Sequence, residues 1–376
     1  MQFNLRLSQK FVFGLILFMG LSWNSDGQSL YNDPKAIKLV KKATHEIYSM
    51  DSDSVEYHIR KVEDYLPSHP VVSLLKGIHV LWYNIPVLND STFDRFGYYM
   101  YKTVDKARKL RALYAEGVYF EMAAKGLMAE YYADRGLYMK AFNEANRAYT
   151  LLKEGFKLTD EVPDFLFATG IYNYFREAYP DRYPIYRPLL WFFRAGDKEK
   201  GINQIKKATQ EAILVDIEAY IYLAYIYLRY EETPIKAQTY LEELLEVYPN
   251  NLYIQAKYLE SLNAPEYYEN LPEDIINSLI GSGRTYYQMA GYVFRGIYHE
   301  KVLGDDNNAY KYYNYAIGKG KELGGYGDYY QSYAYLGLGN ILSRKDLSDS
   351  ANSYYEKAIE VAQTDEVKEE AELAMN

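Results

Sequence analysis

One spacing governs what this chain can become. From position 141 onward a small residue repeatedly opens a triplet whose other members fall four and seven residues later. The triplets are Ala141, Ala145 and Ala148; Gly201, Ile205 and Ala208; Ala237, Leu241 and Leu244; Ala309, Tyr313 and Ala316; and Ala351, Tyr355 and Ala358. Residues at those offsets share one face of a helix. Their leading members lie 60, 36, 72 and 42 residues apart. Those are the intervals of a helix–turn–helix unit, lengthened once by an insertion and once by a degenerate unit over 252–283. At a similar distance upstream stand Thr169-Gly170, Leu223-Ala224, Arg295-Gly296 and Leu336-Gly337. A bulkier residue where two helices cross would push them apart, so small residues there predict close helical hairpins. Strand-type alternation is nearly absent, and Gly and Pro mark segment ends, as in Tyr248-Pro249-Asn250-Asn251. The fold class is all-α.

The clearest copy of the unit runs MAEYYADRGLYMKAFNEANRA from Met128, with Ala129, Tyr132, Gly136, Ala141, Ala145 and Ala148 in frame. It resembles the tetratricopeptide repeat, and Pro249, twelve residues after Ala237, occupies that family's closing proline. The resemblance covers Glu121 to Gln363 and, less regularly, Pro34 to Pro70. It implies an α-solenoid of five to seven antiparallel hairpins whose first helices line a concave groove. It also implies a non-enzymatic scaffold or adaptor that holds a protein or peptide partner. The groove positions of the best-framed first helix carry Gly126 and Glu130. The basic clamp with which the family takes acidic C-terminal tails therefore has no counterpart here.

Four stretches are expected. Residues 1–27 read as a signal peptide: Arg6 and Lys10 precede the apolar run Phe11 to Trp23, and Ser25 and Gly27 prepare a cut before Gln28. An uncleaved N-terminal anchor is the alternative and the one route to a membrane. Residues 28–115 form an N-terminal helical region with one degenerate repeat, then two longer helices broken at Ile85-Pro86. Residues 116–363 hold the repeats, and 364–376 an acidic capping segment. The expected location is extracytoplasmic, the periplasm of a bacterium, and the expected setting is cell-envelope assembly.

Composition removes several classes of function. The chain of 376 residues has no Cys, which excludes disulfides, thiolate metal sites, a thiol nucleophile and a lipidated N-terminal cysteine. A net charge of −9 argues against nucleic acid as a partner. The five histidines, at 45, 58, 69, 79 and 299, form no ligand spacing, so neither metal nor cofactor is expected. Gly281-Ser282-Gly283 and Gly318-Lys319-Gly320 lack the preceding strand of a phosphate loop or nucleophile elbow and read as helix ends. No catalytic residue is marked.

One segment stands apart. Gly170 to Gly201 carries Pro180, Pro184 and Pro188, which interrupt a regular helix, and gathers arginines among aromatics. Tyr174, Arg176, Tyr179, Arg182, Tyr183, Arg187, Trp191 and Arg194 are the candidate partner-binding residues, in an insertion near 176–196. Arg beside Tyr and Trp is the chemistry of binding hot spots. The competing account packs the aromatics in the core and pairs the arginines with Glu177, Asp181 and Asp197. The 45 tyrosines allow a second function, sugar stacking in a carbohydrate-binding accessory protein of an envelope uptake system. A third, glycan hydrolysis, needs two carboxylates across one cleft.

Overall fold

The computed structural model describes residues 28–375 except 88, 183, 185, 186 and 188–192. The expected signal peptide, and Tyr183 and Trp191 of the insertion, lie outside the described residues. The described residues form 17 α-helices joined by short turns, without strands. They are α1 (Pro34–Ser49), α2 (Ser52–Tyr65), α3 (Pro70–Asn84), α4 (Asp90–Leu110), α5 (Glu116–Asp134) and α6 (Tyr138–Gly155). After them come α7 (Phe165–Arg182), α8 (Lys198–Glu211), α9 (Asp216–Arg229), α10 (Pro234–Val247), α11 (Leu252–Ser261) and α12 (Glu273–Gly281). The last are α13 (Thr285–Ile297), α14 (Asp306–Gly320), α15 (Asp328–Ser343), α16 (Ser348–Val361) and α17 (Asp365–Met375). Among the described residues, no helix is long and apolar enough to cross a membrane.

Local chemistry sets many of these boundaries. Asp33, Asp51, Asn89, Asp197, Asn251 and Asp305 each accept backbone N–H groups of the helix they precede, supplying partners the first turn lacks. Pro34, Pro70 and Pro234 open helices, where a missing N–H costs nothing. Gly281 and Gly320 end α12 and α14.

Consecutive helices pack as antiparallel hairpins: α1/α2, α3/α4, α5/α6, α7/α8, α9/α10, α13/α14 and α15/α16, with α11/α12 as a looser pair. The segment 71–115, which lies outside the repeat frame in sequence, supplies a hairpin like the others. At the end of the array, α17 lays Val367 and Ala371 against the last hairpin. The residues of the four later triplets are buried at the crossings, whereas in the first Ala141 and Ala148 are half-buried and Ala145 is exposed. A Cβ at Gly201 would lie 2.6 Å from the Tyr174 backbone nitrogen and 2.8 Å from the Gly170 carbonyl oxygen. Where the middle member of the triplet is large, the facing helices give way. The Tyr313 ring occupies space left by both Gly296 and Gly337, and the Tyr355 ring the space left by Gly339.

The array does not run straight. Asn251 Nδ2 donates to the Tyr48 carbonyl at 2.9 Å, the Trp82 indole N–H to Glu218 at 2.8 Å, and the Tyr287 hydroxyl to the Ile85 carbonyl at 3.0 Å. His45 Nε2 lies 3.0 Å from Asp216, and Arg284 stands over the Tyr83 ring. Hairpins from the two ends of the first three-quarters of the chain thus meet, and the superhelix closes on itself. A short N-terminal strap locks this arrangement. Glu116 accepts from the Leu30 and Tyr31 backbone N–H groups and lies 3.1 Å from His69 Nε2. The Tyr31 hydroxyl donates to Asp164, which also accepts the N–H groups of Ile213, Leu214 and Val215 ahead of α9.

Candidate functional site

Closure turns the expected open groove into a cavity of about 560 Å³. Its walls are the first helices of successive hairpins. From α3 come Leu74, Ile78 and Trp82; from α5, Tyr119, Met122, Glu130, Tyr131 and Asp134; from α9, Glu218, Ile221, Tyr222 and Tyr225. Phe167 of α7 and Tyr253 of α11 complete the ring, while Phe93 and Phe96 enter from α4. The rings brace one another edge to face, the favoured aromatic geometry. Tyr48 and Trp82 have centroids 4.8 Å apart, Trp82 and Tyr253 5.5 Å, and Phe167 and Tyr222 5.2 Å.

Three carboxyl groups interrupt this apolar lining. Burial pushes Glu218 up to about 7, against the hydrogen bonds it accepts from Trp82 and Tyr48, and the nearby Glu130 charge adds to the rise. Glu130 lines the cavity at its open side, with part of its side chain exposed; desolvation by the surrounding wall, then the Asp134 charge, raises its carboxyl. Burial raises Asp134 as well. Burial first, and then the charges of Glu130 and Glu218, hold the Tyr222 hydroxyl well above its ordinary range. Among the described residues no Lys, Arg or His lines the cavity. The arrangement can accept hydrogen bonds, stabilise positive charge and exchange a proton near neutrality, but it repels anions.

The insertion residues scatter. Tyr174 is fully buried and donates to Glu231 at 2.6 Å. Arg176 lies 3.5 Å from Glu177 with little exposure. Arg182 stacks over Tyr230 and donates to the Arg229 carbonyl at the end of α9. Arg194 covers the Phe156 ring at 4.3 Å, and its backbone N–H donates to the Tyr149 hydroxyl at 2.9 Å. Tyr179 is partly exposed and Arg187 largely so, with Arg187 4.0 Å from Asp181. α7 runs on through Pro180 to Arg182, so the insertion begins one turn later than the prolines suggest.

The histidines are likewise separate, and among the described residues no group of His, Asp and Glu is placed to hold a metal. Of the cavity's acids, Glu130 alone stands out in sequence, as a groove position. Glu218 abuts the apolar run Ala219 to Leu228 and gives no periodic signal.

No family model matches the chain, and no curated protein matches it. Among solved structures it is similar to the crystal structure of the yeast Tom70, over 91% of this chain and 89% of that one, with 14% identity and a TM-score of 0.27. The functional reading therefore rests on the geometry of this chain alone.

Proposed function

We propose that this protein is a non-enzymatic, extracytoplasmic adaptor of tetratricopeptide-like build, acting in envelope assembly. It seats a peptide segment of a partner protein in the concave cavity. The observation that carries the reading is the concave aromatic wall formed by successive first helices. The start of α6, the second helix of the same hairpin as α5, presents Tyr138 and Met139, each 73% exposed, and Phe142, 58% exposed. Exposed large apolar side chains close together on one helix turn suit a protein partner. Export is supported by the apolar run Phe11 to Trp23 and its flanking Arg6 and Lys10. Tyr179, Arg187 and Arg194 offer a second, outer contact surface.

Selection of a random linear peptide display library on the full chain tests this reading. Enriched peptides are expected to lose binding to Tyr225→Ala, which alters the cavity wall at a partly exposed residue. Failure to enrich any peptide over an unrelated helical control would sink the adaptor. A second reading, glycan hydrolysis, draws on one observation: Glu130 and Glu218 share a cavity, and Glu218 titrates near neutrality. Release of reducing ends from soluble glycans, abolished by Glu218→Gln, would put that reading first.

A further inference from the structure

Buried carboxylates elsewhere among the described residues have either a set of backbone donors, as Asp164 and Glu116 do, or countercharges. Glu260 is held by Lys257 at 2.9 Å, by Arg229 and by the Tyr330 hydroxyl at 2.7 Å. Burial alone would raise its carboxyl, but these cations outweigh burial and hold it below the ordinary range. Glu300 has Arg344 at 3.0 Å, and Glu121 has Arg108 at 2.9 Å. The cavity acids are treated differently. Glu218 receives only neutral donors, the Trp82 indole N–H and the Tyr48 hydroxyl. Among the described residues, no hydrogen bond or ion pair reaches the Glu130 carboxylate, which stands at the open side of the cavity. Asp134 adds a third acid on the same wall.

We propose that the cavity is a receptor for one basic side chain, Lys or Arg, presented by the partner's peptide segment. The proposal rests on the adaptor reading and names what that adaptor recognises. Three acids on one aromatic wall, with no cation among the described lining residues, give the cavity a negative field that a basic ligand complements. The aromatic wall suits the rest of such a side chain: Tyr222, Tyr225 and Phe167 offer ring faces to the cation and apolar surface to its alkyl stem. A volume of about 560 Å³ exceeds a single side chain, which leaves room for the adjoining backbone. The exposed Tyr138, Met139 and Phe142 at the start of α6, the partner helix of α5, offer apolar surface to flanking residues, which favours a peptide over a free amine. Carboxylates and phosphates are repelled, consistent with the missing clamp at Gly126 and Glu130.

The test uses the full chain and the peptides enriched from the display library. The expected result is that they share one Lys or Arg, and that replacing it with norleucine, which keeps the stem and removes the charge, weakens binding by about tenfold or more. Glu130→Gln/Glu218→Gln should bring the basic peptide down to the norleucine level while leaving the norleucine peptide unchanged. Glu130→Gln alone, at the more open position, should give part of that loss should the double variant fail to fold. Enriched peptides indifferent to norleucine would overturn the basic-side-chain assignment and leave the adaptor standing. No enriched peptide, with butylammonium binding that Glu130→Gln abolishes, would overturn both and leave a small-amine receptor.

Discussion

Glu218 costs this fold stability in a way that can be measured. An unfolded glutamate titrates at about 4.3, whereas the native carboxyl holds its proton up to about 7. Between those values the native state binds more protons than the unfolded chain, so its contribution to stability falls as pH rises. The full penalty is on the order of 3 kcal/mol and is complete above about pH 7, reduced where cavity water solvates the group. Glu218→Gln keeps an acceptor for the Trp82 N–H and removes the titration. Urea unfolding should find the variant close to wild type near pH 4 and increasingly more stable up to pH 7, by about 1–3 kcal/mol, with no further change above. An equal difference at pH 4 and pH 8 would show that Glu218 ionises normally. An acid retained at that cost marks a binding position more readily than a packing position.

Helix pairs in this array are defined by how closely their backbones approach. Gly201→Ala places a Cβ against the Tyr174 nitrogen and the Gly170 carbonyl, both main-chain atoms that cannot rotate away. The α7/α8 crossing must open, at a cost of about 1–3 kcal/mol in chemical denaturation. Gly126→Ala, in the exposed face of α5, meets nothing within 4 Å and should stabilise by about 0.5–1 kcal/mol. If the two substitutions behave alike, the crossing is looser than described. This steric demand explains why the hairpins are legible in the sequence: it acts locally and recurs, so Ala141, Gly201, Ala237, Ala309 and Ala351 announce it. The hairpin of α3 and α4 is harder to read, since that frame is missing from it, and the pairs therefore outnumber a count made on the triplets. The groove is legible through its first helices and Glu130, but its closure into a cavity is not. The Trp82–Glu218 contact spans 136 residues, and no periodicity encodes a pairing of that separation. Arg182 and Tyr174 look like surface chemistry because Pro180 hides the helical phase that turns one onto the end of α9 and the other into the core.

A solenoid whose repeats touch only their neighbours unfolds piecemeal, with stability close to a sum over adjacent interfaces. Closure of this superhelix predicts different behaviour, and Asn251 is the residue at which to examine it. Its side chain does two things: Oδ1 caps α11 through the Tyr253 and Ile254 N–H groups, and Nδ2 donates to the Tyr48 carbonyl, 203 residues away and fully buried. Asn251→Asp separates them. The carboxylate still caps, favoured by the helix dipole, but it sets an oxygen against the Tyr48 carbonyl and leaves that group without its donor. The expected loss is about 1–3 kcal/mol. Its distribution matters more than its size. Hydrogen exchange should quicken not only in α11 but also in α1 and α3, whose link to α9 through Trp82 and Glu218 depends on the same closure. Because those helices wall the cavity, affinity for the basic peptide should fall together with their protection. Faster exchange confined to α10 and α11 would mean that the ends meet without supporting each other, and that the cavity owes its shape to neighbouring hairpins alone.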